Sequence, residues 1–413
     1  MAPSAPNDKN SSNALSFIEF ILIVAALMAL NALAIDTMLP ALPQMGEALN
    51  VIHENDRQLI ITAYLIGMAA ASLLFGPLSD AVGRRKLLII GLLIYSLGGI
   101  LSIFATDYEH MLAARVLQGI GAASPRVLTI SMVRDWYSGR DMGRVMSLAM
   151  MIFMAVPIIA PSIGQLILLM APWRAIFIVL TSFGVLLLIW LQFRLPESLP
   201  PEKRNKFNLK TIYYAYKKVI VTPISFGYML AISLIMGALF GFINSIQQIM
   251  VDIFDMGKAF PIIFAGIAVT MSLAAYLNAT LVRKIGMRKL AHGALLMFTL
   301  CALINSFLAY SGHQTIVTFV ILQALTMFFF GFVGSNCNAM AMDPIGDIAG
   351  TASSLIVFFT TLVGALIGAA IGASFNDTTI PLTLGSAVLG SLAVIVVYFT
   401  EGQRLFTPKH DDD

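Results

Sequence analysis

Residues 59–105 read LIITAYLIGMAAASLLFGPLSDAVGRRKLLIIGLLIYSLGGILSIFA, two apolar runs joined by a turn that holds one acid, Asp80, and three bases, Arg84, Arg85 and Lys86. Each run has the length of a helix that crosses a bilayer, about 20 residues at 1.5 Å rise per residue. Reading outward, the whole chain repeats this pattern. Of its 413 residues, 58% are hydrophobic and 11% charged, with mean hydropathy +0.87, whereas soluble domains carry roughly 25% charged residues. A water-soluble protein is excluded.

Apolar runs between clusters of charge and turn residues predict twelve spans. The first six lie at about 16–39, 55–76, 87–105, 110–133, 143–169 and 173–194. The second six lie at about 222–246, 260–281, 290–310, 315–341, 350–374 and 379–400. The fold class is therefore an all-α membrane protein. Its expected organisation is a polar tail over 1–14, a six-helix bundle over 15–194, a linker over 195–221, a second bundle over 222–400 and a tail over 401–413. The first tail holds one Lys and no cleavage-site pattern, so it reads as a disordered cytoplasmic segment and not as a signal peptide. The linker is marked by Pro196, Pro200, Pro201 and a run of Lys and Arg.

Charge is sorted by side. With both termini on one side, that side collects 20 of the 25 Lys and Arg, in the tails, the linker and the loops around Arg84, Arg134 and Arg283. The other side holds Arg57, Arg174 and Lys258, while Arg115 and Arg126 fall inside a span. The positive-inside rule then places both termini in the cytoplasm. The net charge of +3 is a matter of topology and does not point to nucleic acid. Cys301 and Cys337 lie in separate apolar runs and read as small core residues.

The two halves echo each other. Gly83-Arg-Arg-Lys-Leu87, after the second span, returns as Gly286-Met-Arg-Lys-Leu290 after the eighth. Two parallel six-helix repeats around a central path are a transporter architecture.

Further motifs carry a resemblance. Gly76-Pro-Leu-Ser-Asp80-Ala-Val-Gly83-Arg84-Arg85-Lys86 resembles the loop motif of the major facilitator superfamily. Arg115-Val-Leu-Gln118-Gly119-Ile-Gly121 resembles its drug/proton antiporter motif. Ile35-Asp36-Thr-Met-Leu-Pro40-Ala-Leu-Pro43, Val133-Arg134-Asp135, Trp173-Arg174-Ala-Ile-Phe177, Pro196-Glu197-Ser198 and Ala349-Gly350-Thr-Ala-Ser-Ser354 are similar to the bicyclomycin and chloramphenicol resistance (Bcr/CflA) branch. In the fifth span the usual Gly-Pro with a later Gly-Gly is replaced by Ala160-Pro161-Ser-Ile-Gly164-Gln165, which keeps small residues and the bending prolines Pro157 and Pro161. The resemblance implies two pseudo-symmetric six-helix bundles, alternating access and a proton gradient as energy source, with no cofactor.

Asp36 is the acid that falls clearly within a span, where a charge costs at least about 2.5–3.5 kcal/mol. It is either a proton-coupling group or a helix-end residue that wets its head. Arg115 lies at a similar depth, so an Asp36–Arg115 pair that protonation or substrate breaks is expected. Arg126 stands 11 residues on, about 16 Å lower and within about 20° of the same face. Gly119 and Ala122 between them would leave room for a ligand; alternatively Arg126 snorkels to the basic side. One acid and two bases disfavour dications and suit neutral, zwitterionic or anionic amphiphiles.

Asn31, Tyr64, Met154, Asn244, Gln247, Gln323 and Asn336 are the remaining substrate-lining candidates, each alternatively an interhelical hydrogen bond or plain core. Gly76, Asp80, Gly83, Arg84, Arg85, Pro157 and Pro161 are the gating candidates. Asp80 is expected beside the start of the eleventh span, and Arg84 and Arg85 against acids such as Asp135, Asp141 or Asp347, closing the cytoplasmic end. Small residues at Gly364, Gly368, Gly372, Gly67 and Ala71 are expected to form sliding seams. No Walker A motif, metalloprotease helix or nucleophile elbow occurs, so an enzyme is not indicated. The function expected is proton-coupled export of small amphiphiles from a monomer in the bacterial inner membrane, contacting protons, substrate and lipid. The alternative is a proton symporter importing a nutrient on the same fold.

Overall fold

Backbone amides find no water inside a bilayer, so an apolar chain of this length is driven into helices. The computed structural model describes residues 15–137, 139–204 and 207–406 and holds helices without strands among them. The first half contains α1 (Phe17–Asp36), the short α2 (Leu42–Ala48), α3 (Leu59–Val82), α4 (Arg84–Ile103), α5 (Tyr108–Trp136), α6 (Gly139–Met170) and α7 (Arg174–Arg194). After α8 (Leu209–Val221) the second half contains α9 (Pro223–Gln248), α10 (Phe260–Ile285), α11 (Met287–Tyr310), α12 (Ile316–Met342), α13 (Ala349–Ala373) and α14 (Ile380–Thr400). Eleven of these elements are long and apolar enough to cross a membrane, and α6 adds the apolar stretch Met154–Met170. The expected tail 1–14, residues 407–413 of the second tail, and the side chains of Asp141 and Asp347 lie outside the described residues.

Local chemistry sets the helix ends. Ser16 caps α1 by accepting the Glu19 amide, Asp107 caps α5 through the His110 amide, and Thr315 forms a capping box with Thr318 on α12. Pro223, Pro261 and Pro381 sit at helix starts, where a missing N–H is harmless. The repeated turn is the same structure twice. Gly83 has φ +109° between α3 and α4, and Gly286 has φ +88° between α10 and α11, a region that glycine enters without a Cβ penalty.

The stretch 195–221, expected as a linker, contains helix α8. Its docking is explained by a proline. Pro77 lies inside α3, which continues past the expected end near 76, and it cannot donate to the Leu73 carbonyl. The Tyr216 hydroxyl of α8 donates to that carbonyl instead, at 2.8 Å. Burial pushes the Tyr216 phenol up to about 12, so it stays a donor at physiological pH.

Within the first bundle α3 packs on α5, α5 on α4, α4 on α7 and α1 on α6; within the second, α9 packs on α13 and α14, and α12 on α10 and α11. Glycines allow the closest approaches. A Cβ on Gly67 would stand 2.1 Å from the Val116 carbonyl oxygen, and one on Gly119 would stand 2.0 Å from that of Tyr64. Gly364 and Gly368 face Met236 and Phe240 of α9 in the same way. The expected seams at these positions are therefore joints inside a bundle. The bundles themselves meet where α3 touches α13 and α6 touches α10, with Gly76 against Ser354, Gly372 against Gln58, and the Ser272 hydroxyl donating to the Met154 carbonyl at 3.2 Å. The outward faces of α4 and α14 expose apolar rows, Leu93, Leu97, Ile100 and Phe104 on one and Leu384, Val388, Leu392, Ile395 and Phe399 on the other, as a lipid-facing surface requires.

Candidate functional site

Arg115 is fully buried on α5, and every arm of its guanidinium is occupied. Nε donates to the Ile60 carbonyl at 3.2 Å, Nη1 to Gln118 Oε1 at 2.5 Å and Nη2 to the Ala34 carbonyl at 3.0 Å. The group also lies over the Tyr64 ring, 4.5 Å from its centroid, with Phe177 at 5.8 Å. A buried arginine demands such acceptors, and here backbone carbonyls supply them. The expected ion pair with Asp36 is absent from this structure. The bond to Ala34 nevertheless brings Arg115 onto α1 two residues before Asp36, at the depth the sequence implied.

Asp36 is the last residue of α1 and is 5% exposed, with no salt bridge to a described residue. The chain then breaks toward Pro40. Gly164 of α6 packs against this break, because a Cβ there would lie 1.9 Å from the Thr37 carbonyl oxygen. The altered motif of the fifth span thus retains the one glycine that lets α6 approach the acid. Pro157 and Pro161 lie within the same helix, which remains unbroken around them.

Arg126 is different from Arg115. Its side chain is exposed although it stands deep among protein atoms and within electrostatic reach of Tyr64. Ile130, one turn on, is exposed on the same face. Arg126 and Ile130 thus share an accessible face of α5. The room expected at Gly119 is not there, because α3 fills it. Tyr64 donates to Asn31 Oδ1 at 2.9 Å, leaving the Asn31 amide nitrogen buried without a partner. Asn336 donates to Asn278 Oδ1 at 2.6 Å and to the Phe332 carbonyl at 2.8 Å, so it is an interhelical tie in this state. Asn244 and Gln323 Nε2 are buried without partners, and Gln247 is buried.

The two ends of the molecule are built differently. At the end away from the Gly83 and Gly286 turns, neutral side chains bridge the bundles. Asn55 Nδ2 donates to the Ala373 and Phe375 carbonyls at 3.2 and 2.8 Å, Gln248 donates to Asn55 Oδ1 at 3.0 Å, and Gln58 bonds Gln248. At the basic end a cavity of about 530 Å³ is lined by Asp80, Arg84, Arg134, Tyr214, Lys218 and Gly350, among others. Asp80 and the start of α13 both line this cavity. Arg84 does meet Asp135, at 3.1 Å, and also Asp80, at 2.6 Å. Arg85 donates to the Gln192 carbonyl at 2.6 Å. All these partners belong to the first bundle, so the Arg84 and Arg85 contacts do not latch one bundle to the other in this structure.

Three features escaped the sequence reading. The Asn55–Gln58–Gln248 seal involves no charge and sits in ordinary turn sequence. Glu197 accepts the Arg84 amide at 2.8 Å and lies 2.4 Å from where a Gly83 Cβ would be. Glu401, buried after α14, accepts from Tyr228 at 2.5 Å and Arg288 at 3.0 Å, while Tyr228 also meets His292 at 2.9 Å. The available signal was positional, since Glu197 and Glu401 each follow the last helix of their bundle and each clasp the start of its third.

Comparison with known proteins agrees with this architecture. The Major Facilitator Superfamily pattern matches residues 24–369. The chain is 30% identical over 383 residues to a bicyclomycin resistance protein homolog of Haemophilus influenzae, covering 90% of this chain and 93% of that one. It is 28% identical over 375 residues to the multidrug resistance protein MdtL of Vibrio parahaemolyticus, covering 88% and 91%. Among solved structures, the Escherichia coli xylose transporter XylE in a partially occluded inward-open conformation superposes with a TM-score of 0.73 at 13% identity, covering 92% of this chain and 96% of that one. With two six-helix bundles, a repeated glycine turn and a match over most of its length, this chain belongs to the major facilitator superfamily and is a membrane transporter, not an enzyme.

Proposed function

We propose that the protein exports small amphiphiles in exchange for protons, with its basic end in the cytoplasm and its spans in a bacterial inner membrane, working as a monomer. The observation that carries this reading is Asp36, an acid at the end of α1, 5% exposed and without a counter-ion among the described residues. A buried charge without a partner costs several kcal/mol, so its ionisation and its access to water change together. Protonation from outside would favour return of the empty carrier, and substrate entering from the cytoplasm would displace the proton. Each ligand biases the state it binds better, which is all that alternating access requires. The names of the resistance-protein relatives support the export direction.

In this cycle the Asn55–Gln58–Gln248 bridge holds the outer end shut, and the cavity lined by Asp80, Arg84 and Arg134 lies at the inner end where the bundles part. Gly76, Gly83, Pro157 and Pro161 serve these motions as close-packing and bending positions. Arg115 fixes the α1–α3–α5 arrangement beside Asp36. Arg126, Asn31, Tyr64 and Met154 belong to the substrate path, with Asn244, Gln247, Gln323 and Asn336 available to it as the bundles rock.

The test is substrate-dependent proton movement in inverted vesicles, followed with a pH-sensitive dye, for wild type, Asp36→Asn and vesicles lacking the protein. Proton release on adding an amphiphile, seen only in wild type, is the expected result. Equal traces from wild type and Asp36→Asn would contradict coupling through Asp36, and accumulation of compound in intact cells would contradict export.

A further inference from the structure

We infer that the substrate is an anionic amphiphile whose charged group is held by Arg126; this deepens the export reading and rests on it. Three observations converge. First, Arg126 makes no hydrogen bond or ion pair with any described residue, although it stands in mid-helix with an exposed side chain. A guanidinium has five N–H donors and no acceptor, so at such a place it calls for a partner that only accepts. Second, no described carboxylate in the body of the spans is left free: Asp80 and Asp135 are held by Arg84 at 2.6 and 3.1 Å. Asp36 is 5% exposed, and Glu19, at the start of α1, is committed to Arg194 at 2.6 Å. Helices α9, α12, α13 and α14 contain no Asp, Glu, Lys or Arg, while the charges of α10 and α11 are confined to their ends at the basic face. A cation reaching this face would meet the positive charge of Arg126 and, among the described residues in the body of the spans, no free negative one.

Third, the neighbouring polar group also donates. Tyr64, within electrostatic reach of Arg126, spends its hydroxyl hydrogen on Asn31 Oδ1, and the buried Asn31 amide nitrogen keeps an unused donor. The local inventory is thus guanidinium and amide N–H, matched by a carboxylate, sulfonate or phosphate oxygen. The apolar remainder of the ligand suits the uncharged walls of the second bundle. Exporting an anion in exchange for an entering proton moves positive charge inward twice over. An inside-negative membrane potential would therefore drive both halves of the exchange.

The experiment uses three probes that share one fluorophore, dansylglycine (anion), dansylamide (neutral) and dansylcadaverine (cation). Binding to the purified full-length protein is measured for wild type, Arg126→Gln and Arg126→Lys, and transport is measured in proteoliposomes with an imposed proton gradient. The expected order in wild type is anion over neutral over cation. Arg126→Gln should weaken dansylglycine about tenfold or more and spare dansylamide, and Arg126→Lys should recover part of the loss. An unchanged thermal unfolding profile for both variants separates this effect from misfolding. If Arg126→Gln leaves dansylglycine within twofold of wild type, or if wild type prefers dansylcadaverine, the inference is overturned. If dansylamide is exported while dansylglycine is not selected, the anion assignment falls and export stands. If no probe of any charge moves with protons, the export reading itself falls.

Discussion

The two bundles share a plan but divide the chemistry unequally. Both turn at a glycine of positive φ, both follow the last helix with a glutamate that clasps the third, and both pack by close glycine contacts. Yet the three charges in the body of the spans, Asp36, Arg115 and Arg126, all lie in the first. The counterpart of Arg115, eight residues into its helix, is Gln323 in α12. The counterpart of Arg126 is Gly334, where a Cβ would meet nothing within 4 Å. One bundle thus carries the charges, and the other supplies an uncharged wall.

Paired substitutions, one in each bundle, test this asymmetry. The largest effect is expected at Arg115. Arg115→Leu strands the carbonyls of Ala34 and Ile60 and the Gln118 side chain, a loss of about 3–9 kcal/mol at roughly 1–3 kcal/mol per orphaned group. Gln323→Leu in the other bundle removes a buried nitrogen that has no partner, and should change thermal stability in detergent by less than about 1 kcal/mol. Equal losses at both positions would show that the bundles share the ionic core after all.

Next are the two clasps, where the sign of the contrast reverses. Glu401→Ala strips the acceptor from buried Tyr228 and from Arg288 and should destabilise by about 2–4 kcal/mol. Glu197 is partly exposed and accepts mainly from backbone amides, so Glu197→Ala should lose about 1–2 kcal/mol. Thermal unfolding of the purified variants checks both. Smaller again is the glycine pair. Gly286→Ala faces open space and bears only the positive-φ penalty, about 1–2 kcal/mol. Gly83→Ala adds a clash with Glu197 and should cost more. The smallest effect is Tyr216→Phe, about 0.5–1.5 kcal/mol for the lost bond to the Leu73 carbonyl, with faster proteolysis of the linker as a second readout.

Much of this was legible in the sequence, for physical reasons. Span existence follows from the demand that backbone amides bond internally, and the observed helices fall close to the apolar runs. Gly83 and Gly286 announced the repeat because a positive φ restricts the residue type. Asp36, Arg115 and Arg126 were visible because charge is rare in apolar runs. What was not legible depends on which neighbour fills a space. The sequence could not say that backbone carbonyls, and not Asp36, satisfy Arg115, nor that α3 occupies the gap at Gly119. The Arg84–Asp135 contact was foreseeable, but its confinement to one bundle was not. Helix α8 was hidden by its three lysines and by its docking point, a carbonyl released by a proline in another helix.

The central claim is that proton exchange runs through Asp36 alone. Its most direct test is proton release in weakly buffered detergent solution when the purified protein is mixed with whichever dansyl probe wild type binds most tightly. The account predicts about one proton released per probe bound by wild type, and bound probe with no proton released by Asp36→Asn. Proton release from Asp36→Asn equal to that of wild type would contradict it.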